Sequence, residues 1–215
     1  MRINLTMTMP RILGAAALVL SIAGCSSASK APANTAFDFG PLGPLGAPAT
    51  QAAQAPRPAL PAIVVMDATG SPAFENERMV YRLNYDDPLQ ARTYAYARWA
   101  ANPLLLVTQR VKSRLAQAGI KVLSASDSNT NVPILRIEVD DFSHSFASVA
   151  QSEGVVVLRA SVFNSHTLLD QKTFSRATSA PSADAPGGAR ALAASTDAAT
   201  ADITAWLAGI DTRKR

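Results

Sequence analysis

The N-terminal segment constrains this 215-residue chain more than any other feature does. Arg2 and Arg11 precede the apolar run Ile12–Ile22, which is followed by two small residues. The run is shorter than the ~20 apolar residues that a membrane-spanning helix needs. Positive charge, a short apolar run and small residues, in this order, are typical of a secretory signal. We therefore predict that residues 1–24 are removed, so that the fold is built without them.

The only cysteine of the chain, Cys25, directly follows the small residues. The sequence Ser21-Ile22-Ala23-Gly24-Cys25 resembles a bacterial lipobox, whose cysteine sulfur carries diacylglycerol. Two or three acyl chains, at about 0.8 kcal/mol per buried CH₂, make a stable membrane anchor. The alternative is a cysteine that follows an ordinary signal peptide by chance, but a secreted chain with its sole thiol at the cleavage point favours lipidation. Ser26, rather than Asp, favours sorting to the outer membrane.

The segment that follows the signal has an almost balanced charge, with 18 basic and 16 acidic residues interspersed along it. A nucleic-acid interface needs a clustered basic excess, so we expect no nucleic-acid partner. The length fits one domain, which we place at residues 35–211. A flexible lipid tether at 25–34 precedes it, a Pro/Ala-rich loop at 41–61 interrupts it, and a basic tail at 212–215 follows it.

Hydrophobic patterns predict strands separated by two helices. Strands are predicted at Thr35–Gly40, Ala62–Asp67, Met79–Asn84, Ile120–Ser124, Ile134–Asp140, Gly154–Phe163 and Leu168–Ala177. Asn102 and Pro103 predict the start of the first helix and Gly119 its end. A break at Asp184–Gly188 precedes a second, amphipathic helix over Leu192–Ile210. This order predicts an α+β fold, in which a mixed, mainly antiparallel sheet carries two helices packed on one face as a two-layer sandwich.

Sequence signals for catalysis are weak. The chain has no Gly-rich phosphate loop, no Gly-x-Ser-x-Gly motif and no Cys or His pair at metal spacing, so we expect neither enzymatic activity nor a metal or cofactor. His144 lies among serines and aspartates, but neighbours on one strand alternate faces and cannot converge as a triad. A polar strand end or loop is the simpler interpretation of His144. Asp86 and Asp87 precede Pro88, which predicts a turn rather than a pair of catalytic acids.

The segment Tyr81–Trp99 holds all four tyrosines and one of the two tryptophans. Its spacing predicts a hairpin with arms Tyr81–Tyr85 and Thr93–Trp99, and places Tyr94 and Tyr96 on one face of a strand. Aromatic side chains of this kind can either pack in the core or contact a partner protein. The candidate partner-docking surface comprises Tyr85, Tyr94, Tyr96 and Arg98. The candidate structural anchors are Trp99, Pro103 and Trp206.

Several short segments together resemble a known family. They are the lipobox, Phe37-Asp-Phe-Gly-Pro41, Met79-Val-Tyr-Arg82, Trp99-Ala-Ala-Asn-Pro103, Leu135–Phe142 and the closing amphipathic helix. With these segments the chain, from Phe37 to Leu207, resembles the ABC-type transport auxiliary lipoprotein family, which includes the paraquat-inducible type. The resemblance implies an outer-membrane lipoprotein that faces the periplasm.

The same resemblance implies partners and a role. Members of this family accompany an MCE-domain protein and an ABC permease and ATPase, in systems linked to lipid movement between the two membranes and to envelope integrity. The chain would then be non-catalytic, and would dock the MCE protein or receive its lipid. A homo-oligomer is compatible with this role, because MCE proteins form rings. The alternatives are an outer-membrane structural or lipopolysaccharide-assembly accessory lipoprotein, and a periplasmic hydrolase.

Overall fold

Nine strands and two helices occupy the part of the chain that the computed structural model describes, residues 34–43, 62–127 and 132–211. The strands are β1 Thr35–Phe37, β2 Ala62–Val65, β3 Thr69–Gly70, β4 Arg78–Leu83, β5 Asp87–Trp99, β6 Lys121–Leu123, β7 Ile134–Phe146, β8 Ser152–Asn164 and β9 Thr167–Ser179. The helices are α1 Pro103–Gln117 and α2 Ala185–Ala208, and two short 3₁₀ helices span Pro72–Phe74 and Ala125–Asp127. The predicted signal, Cys25, the tether up to residue 33, the loop at 44–61 and the basic tail lie outside the described residues.

Strand β7 organises the sheet. One of its edges pairs with β8 along nearly the whole strand, and β8 pairs in turn with β9, both antiparallel. Its other edge is shared by three short parallel strands, because β2, β3 and β4 pair with successive parts of it. The sheet is therefore mixed, as predicted. The long ladders are antiparallel, whereas five of the eight strand pairings between described residues are parallel.

The first half of β7 follows the predicted alternation. Leu135, Ile137 and Val139 are buried, and the residues between them are exposed. A bulge between Val139 and Asp141 then changes the register against β8. Beyond the bulge the strand continues to Phe146 with both faces buried, so it is almost twice as long as predicted. Burial of its second half brings His144 into the interior.

The first helix begins and ends where the sequence predicts. The Asn102 side chain accepts a hydrogen bond from the Leu105 amide at 2.9 Å, and Pro103 occupies the first turn. After the helix, Gly119 has a φ of 89°, which a residue with a side chain rarely adopts. Local capping chemistry therefore determines both ends of α1.

The second helix begins earlier than predicted. Asp184 caps it by accepting the Gly187 amide at 2.8 Å, and Pro186 lies in the first turn, so the break predicted at Asp184–Gly188 is wrong. The glycines are inside the helix because of close packing. A Cβ atom on Gly188 would lie 2.3 Å from the His144 ring, and one on Gly187 would lie 1.9 Å from a backbone oxygen. Here glycine permits close approach rather than ending a helix.

The two helices are joined by one carboxylate. Asp197 of α2 accepts hydrogen bonds from Arg110 and Arg114 of α1, at 2.6 to 2.8 Å. Burial alone would raise the pKa of Asp197, but the hydrogen bonds from the two arginines outweigh it and hold the pKa below its usual range. The same arginines donate to the carbonyls of Gly40 and Gly43, so the segment after β1 is held beside the helices.

The three predicted anchors lie in packed positions. Trp99 is almost completely buried against Phe39 and Phe142, with ring centroids 5.7 and 5.5 Å away, and Pro103 is buried at the start of α1. Trp206 is half-buried, and its Nε1 donates to Asp170 at 2.8 Å, which joins α2 to β9.

Candidate functional site

The predicted hairpin is present and is longer than predicted. β4 and β5 are antiparallel, and β5 begins at Asp87, six residues before the predicted arm. Asp86 pairs with Arg92 at 2.6 Å, and the Asp87 carboxylate accepts the Leu89 amide at 2.9 Å. Both carboxylates therefore serve the turn, as predicted, and neither is placed as a catalytic acid.

Strand β5 has an open edge. One of its edges pairs with β4, and the other pairs with β1 only at Ala97, Arg98 and Trp99. From Asp87 to Tyr96 the outer edge has no strand beside it among the described residues. Such an edge presents free backbone N–H and C=O groups, to which a further strand can bond.

The predicted docking residues separate into two groups. Tyr94 packs against Tyr81 at 4.7 Å between ring centroids and bonds to His144, whereas Tyr96 is 57% exposed. The prediction that Tyr94 and Tyr96 share one face is therefore wrong. An irregularity in the pairing of β4 with β5, between Thr93 and Arg98, changes the alternation at this point.

Three of the four predicted residues remain available at the surface. Tyr85 is 48% exposed at the turn of the hairpin, and Tyr96 is exposed near the end of the open edge. Arg98 is exposed and pairs with Glu77. These side chains, with the backbone of β5, can contact a partner.

The half-buried Tyr94 and the buried His144 form a polar pair. The Tyr94 hydroxyl lies 2.8 Å from Nδ1 of His144, which is completely buried in β7. Burial lowers the pKa of His144 to about 4, an effect that Asp184 partly offsets. Burial, followed by the influence of Tyr81 and Asp184, raises the pKa of Tyr94. Both groups are thus neutral at pH 7, and Tyr94 can donate its proton to Nδ1.

The prediction that His144 lies at a polar strand end or loop is wrong, because burial of the second half of β7 places it under α2. It does not form a triad with its sequence neighbours. Ser145 accepts a hydrogen bond from Asn84 at 2.7 Å, and Asp140 accepts one from Arg159 at 3.0 Å. Its Nε2 is buried without a hydrogen-bond partner among the described residues. The pair packs the sheet against α2 and presents no activated nucleophile.

A groove that the sequence reasoning missed lies between the end of β1 and α2. It has a volume of about 440 Å³, and its lining includes Phe37, Pro186, Ala189 and Ala193, with Arg190 among them. The available signal was weak, since Ala189 and Ala193 are four residues apart on one helical face but alanines are frequent throughout α2. A second, smaller cavity of about 200 Å³ lies against α1.

Residues 34–43, 62–127 and 132–211 contain neither a metal-binding cluster nor a membrane-spanning helix. No group of three or more His, Cys, Asp or Glu side chains there is arranged to hold a metal ion. None of the helices in those ranges has the length and apolar character that crossing a membrane requires.

Two solved structures share the fold. A crystal structure of a Xanthomonas campestris protein aligns with a TM-score of 0.61 at 21% identity, over 70% of this chain and 88% of that one. A crystal structure of an uncharacterized protein aligns with a TM-score of 0.56 at 14% identity, over 70% and 94% of the two chains. The rare lipoprotein B of Shewanella oneidensis aligns at 13% identity, over 66% of this chain and 89% of that one, with a TM-score of only 0.32. The TM-scores of the first two structures show a common fold, and sequence identities this low carry nothing about function.

The family comparison is more informative. No curated protein matches the sequence. The sequence model of the family described as ABC-type transport auxiliary lipoprotein component matches residues 44–204, which is three quarters of the chain. The match includes the hairpin, both helices and the three long strands β7, β8 and β9. The chain therefore belongs to the ABC-type transport auxiliary lipoprotein family.

Proposed function

We propose that this protein is a lipid-anchored, periplasm-facing docking component of an ABC transport system, and that its partner is an MCE-domain protein that moves lipid between the inner and outer membranes. Family membership supports the association with an ABC system. The lipobox supports attachment to a membrane at Cys25, and Ser26 supports the outer membrane. The absence of a phosphate-loop motif from the sequence fits a subunit that leaves ATP hydrolysis to another chain.

The open edge of β5 is the observation that carries the docking role. A partner strand added there would gain main-chain hydrogen bonds from the segment between Asp87 and Tyr96. Tyr96 and Arg98 would add side-chain contacts at one end of that segment, and tyrosine and arginine are enriched in interfaces. A second copy of the chain could use the same edge, which is compatible with a ring that matches an MCE ring.

The contacts that the two helices make support a structural role for them. Asp197 joins α1 directly to α2, and α2 also packs on β8 and β9. We infer that both helices lie on one face as a two-layer sandwich. The pair formed by the half-buried Tyr94 and the buried His144 is neutral at pH 7, which supports a non-catalytic protein.

The test is a pull-down of the palmitate-labelled protein from detergent-solubilised envelopes, with identification of the recovered proteins and lipids. We expect an MCE-domain protein, and we expect Tyr96→Ala combined with Arg98→Ala to reduce its recovery about tenfold, because tyrosine and arginine are the residue types whose loss most often weakens an interface. Lys172→Ala on β9 is the matched control on the other side of the sheet. Recovery of no MCE-type partner would refute the proposal, and equal recovery with both variants would refute the docking surface.

A further inference from the structure

One end of the sheet carries exposed apolar side chains from two different turns. Leu89 is 89% exposed and Tyr85 is 48% exposed, and both belong to the hairpin of β4 and β5. Val149 is 76% exposed in the turn between β7 and β8. Single exposed apolar side chains are common on protein surfaces, whereas several that gather at one end of a sheet indicate a contact surface.

The two turns are neighbours. Leu83 pairs with Phe146 at the ends of the parallel strands β4 and β7. Asn84 strengthens this join, because its backbone amide donates to the Phe146 carbonyl at 2.9 Å and its side chain donates to Ser145 at 2.7 Å. Tyr85, Leu89 and Val149 thus project from one end of the sheet, which we call the tip.

Strand β1 begins at its end nearer the tip. β1 is parallel to β5, with Thr35 opposite Ala97 and Phe37 opposite Trp99. Because the two strands are parallel, the first residue of β1, Thr35, is at the end of β1 that points towards Asp87 and the tip. Ten residue steps of strand between Ala97 and Asp87 cover about 33 Å. Ten residue steps between Cys25 and Thr35 reach at most about 35 Å, so a lipid anchor on Cys25 has the reach to lie level with the tip.

The charge of the tip favours an apolar contact over an electrostatic one. Between residues 82 and 92, Arg82 and Arg92 balance Asp86 and Asp87. Attraction to anionic lipid needs a basic excess, which the hairpin lacks. Leucine and valine suit the acyl boundary of a bilayer, and tyrosine suits its interface.

We propose that the tip, formed by Tyr85, Leu89 and Val149, inserts into the lipid surface that carries the Cys25 anchor. This inference rests on the lipidation included in the proposed function. Insertion would place the Asp87 end of β5 at the membrane, and the Trp99 end of the strand would point away from it. Tyr96 and Arg98 would then face the periplasmic partner, while Tyr85 would contact lipid.

The test places a reporter at the tip of the full lipoprotein. The sulfur of Cys25 is consumed by its lipid, so a cysteine introduced by Leu89→Cys or Val149→Cys is the only free thiol and can carry an environment-sensitive fluorophore. Leu168→Cys is the matched control, because Leu168 is also exposed but follows the turn between β8 and β9, at the opposite end of the sheet. Each variant is reconstituted in vesicles of phosphatidylethanolamine and phosphatidylglycerol.

We expect blue-shifted emission at positions 89 and 149, and quenching by nitroxide-labelled lipid that is about twofold or more stronger than at position 168, at low and high salt alike. Equal quenching at 89 and 168 would overturn the inference. Flotation of the unlabelled protein with the vesicles separates the two proposals. Flotation without quenching at the tip refutes only the insertion, whereas failure to float refutes lipidation and insertion together.

Discussion

Two outer strands of the same sheet, β5 and β9, have the same length of 13 residues but differ in their side-chain contacts to the helices. β9 is tied to α2, because Asp170 accepts from Trp206, Arg176 pairs with Asp202, and Phe174 packs on Trp206. β5 makes inward contacts through Tyr94 and Trp99, and its outer edge is open from Asp87 to Tyr96 among the described residues. The outer edge of β9 likewise has no strand beside it among the described residues, so the two strands differ in the ties that β9 makes to α2 rather than in having a free edge.

The largest effect is expected where α2 approaches the sheet. A Cβ atom on Gly154 of β8 would lie 2.4 Å from the Leu192 amide nitrogen, so Gly154→Ala forces the helix away from the strand. We expect a loss of about 3 kcal/mol in the free energy of unfolding, measured by urea denaturation. Gly43→Ala is the control, since a Cβ atom there meets nothing within 4 Å. Similar losses of unfolding free energy in Gly154→Ala and Gly43→Ala would contradict the close packing of α2 on β8.

On the β5 side, the next largest effect is a dependence of stability on pH. The pKa of His144 is about 4 in the folded protein and about 6.5 in the unfolded chain. Between these values the unfolded chain binds more protons, so stability is complete above about pH 6.5 and falls as the pH is lowered towards 4. The expected loss is on the order of 3 kcal/mol. Denaturation at several pH values measures it, and His144→Gln should flatten this part of the profile; an unchanged profile would exclude His144 as its cause.

A smaller effect separates two tyrosines on one strand. Tyr94→Phe removes the hydroxyl from Nδ1 of His144 and leaves a buried nitrogen unpaired, which should cost about 1–2 kcal/mol. Tyr96→Phe alters an exposed side chain and should leave stability unchanged within error. Thermal denaturation of the two variants makes the comparison. Equal melting temperatures would mean that the inward and outward positions of β5 do not differ as described.

The smallest effect concerns the tie between β9 and α2. Trp206→Phe keeps an aromatic ring near Phe174 but removes the Nε1 donor to Asp170, and we expect a loss of about 0.5–1 kcal/mol in the free energy of unfolding. Recovery of the partner should not change, because the docking surface lies on β5. Reduced recovery with intact stability would place part of the docking surface on the β9 side.

Much of the fold follows from local patterns in the sequence. Capping by Asn102 and Gly119 predicts α1 almost to the residue, and the turn at Asp86 and Asp87 is predicted by the same kind of short-range chemistry. The candidate site was harder to predict. The alternation rule, which groups Tyr94 with Tyr96, fails because the pairing of β4 with β5 is irregular near these residues. Such an irregularity depends on both strands, so the sequence of β5 alone does not reveal it.

The sequence by itself determined the ends of α1, the alternating half of β7, the presence of strands β8 and β9 and the membership of the family. Caps, turns and periodicity act within a few residues, so these features need no knowledge of distant segments. Only the tertiary structure decided that β2, β3 and β4 share one edge of β7, that Gly187 and Gly188 belong to a helix, and that His144 lies buried beneath it. Each of these depends on contact between segments far apart in the chain, where packing overrides local preference.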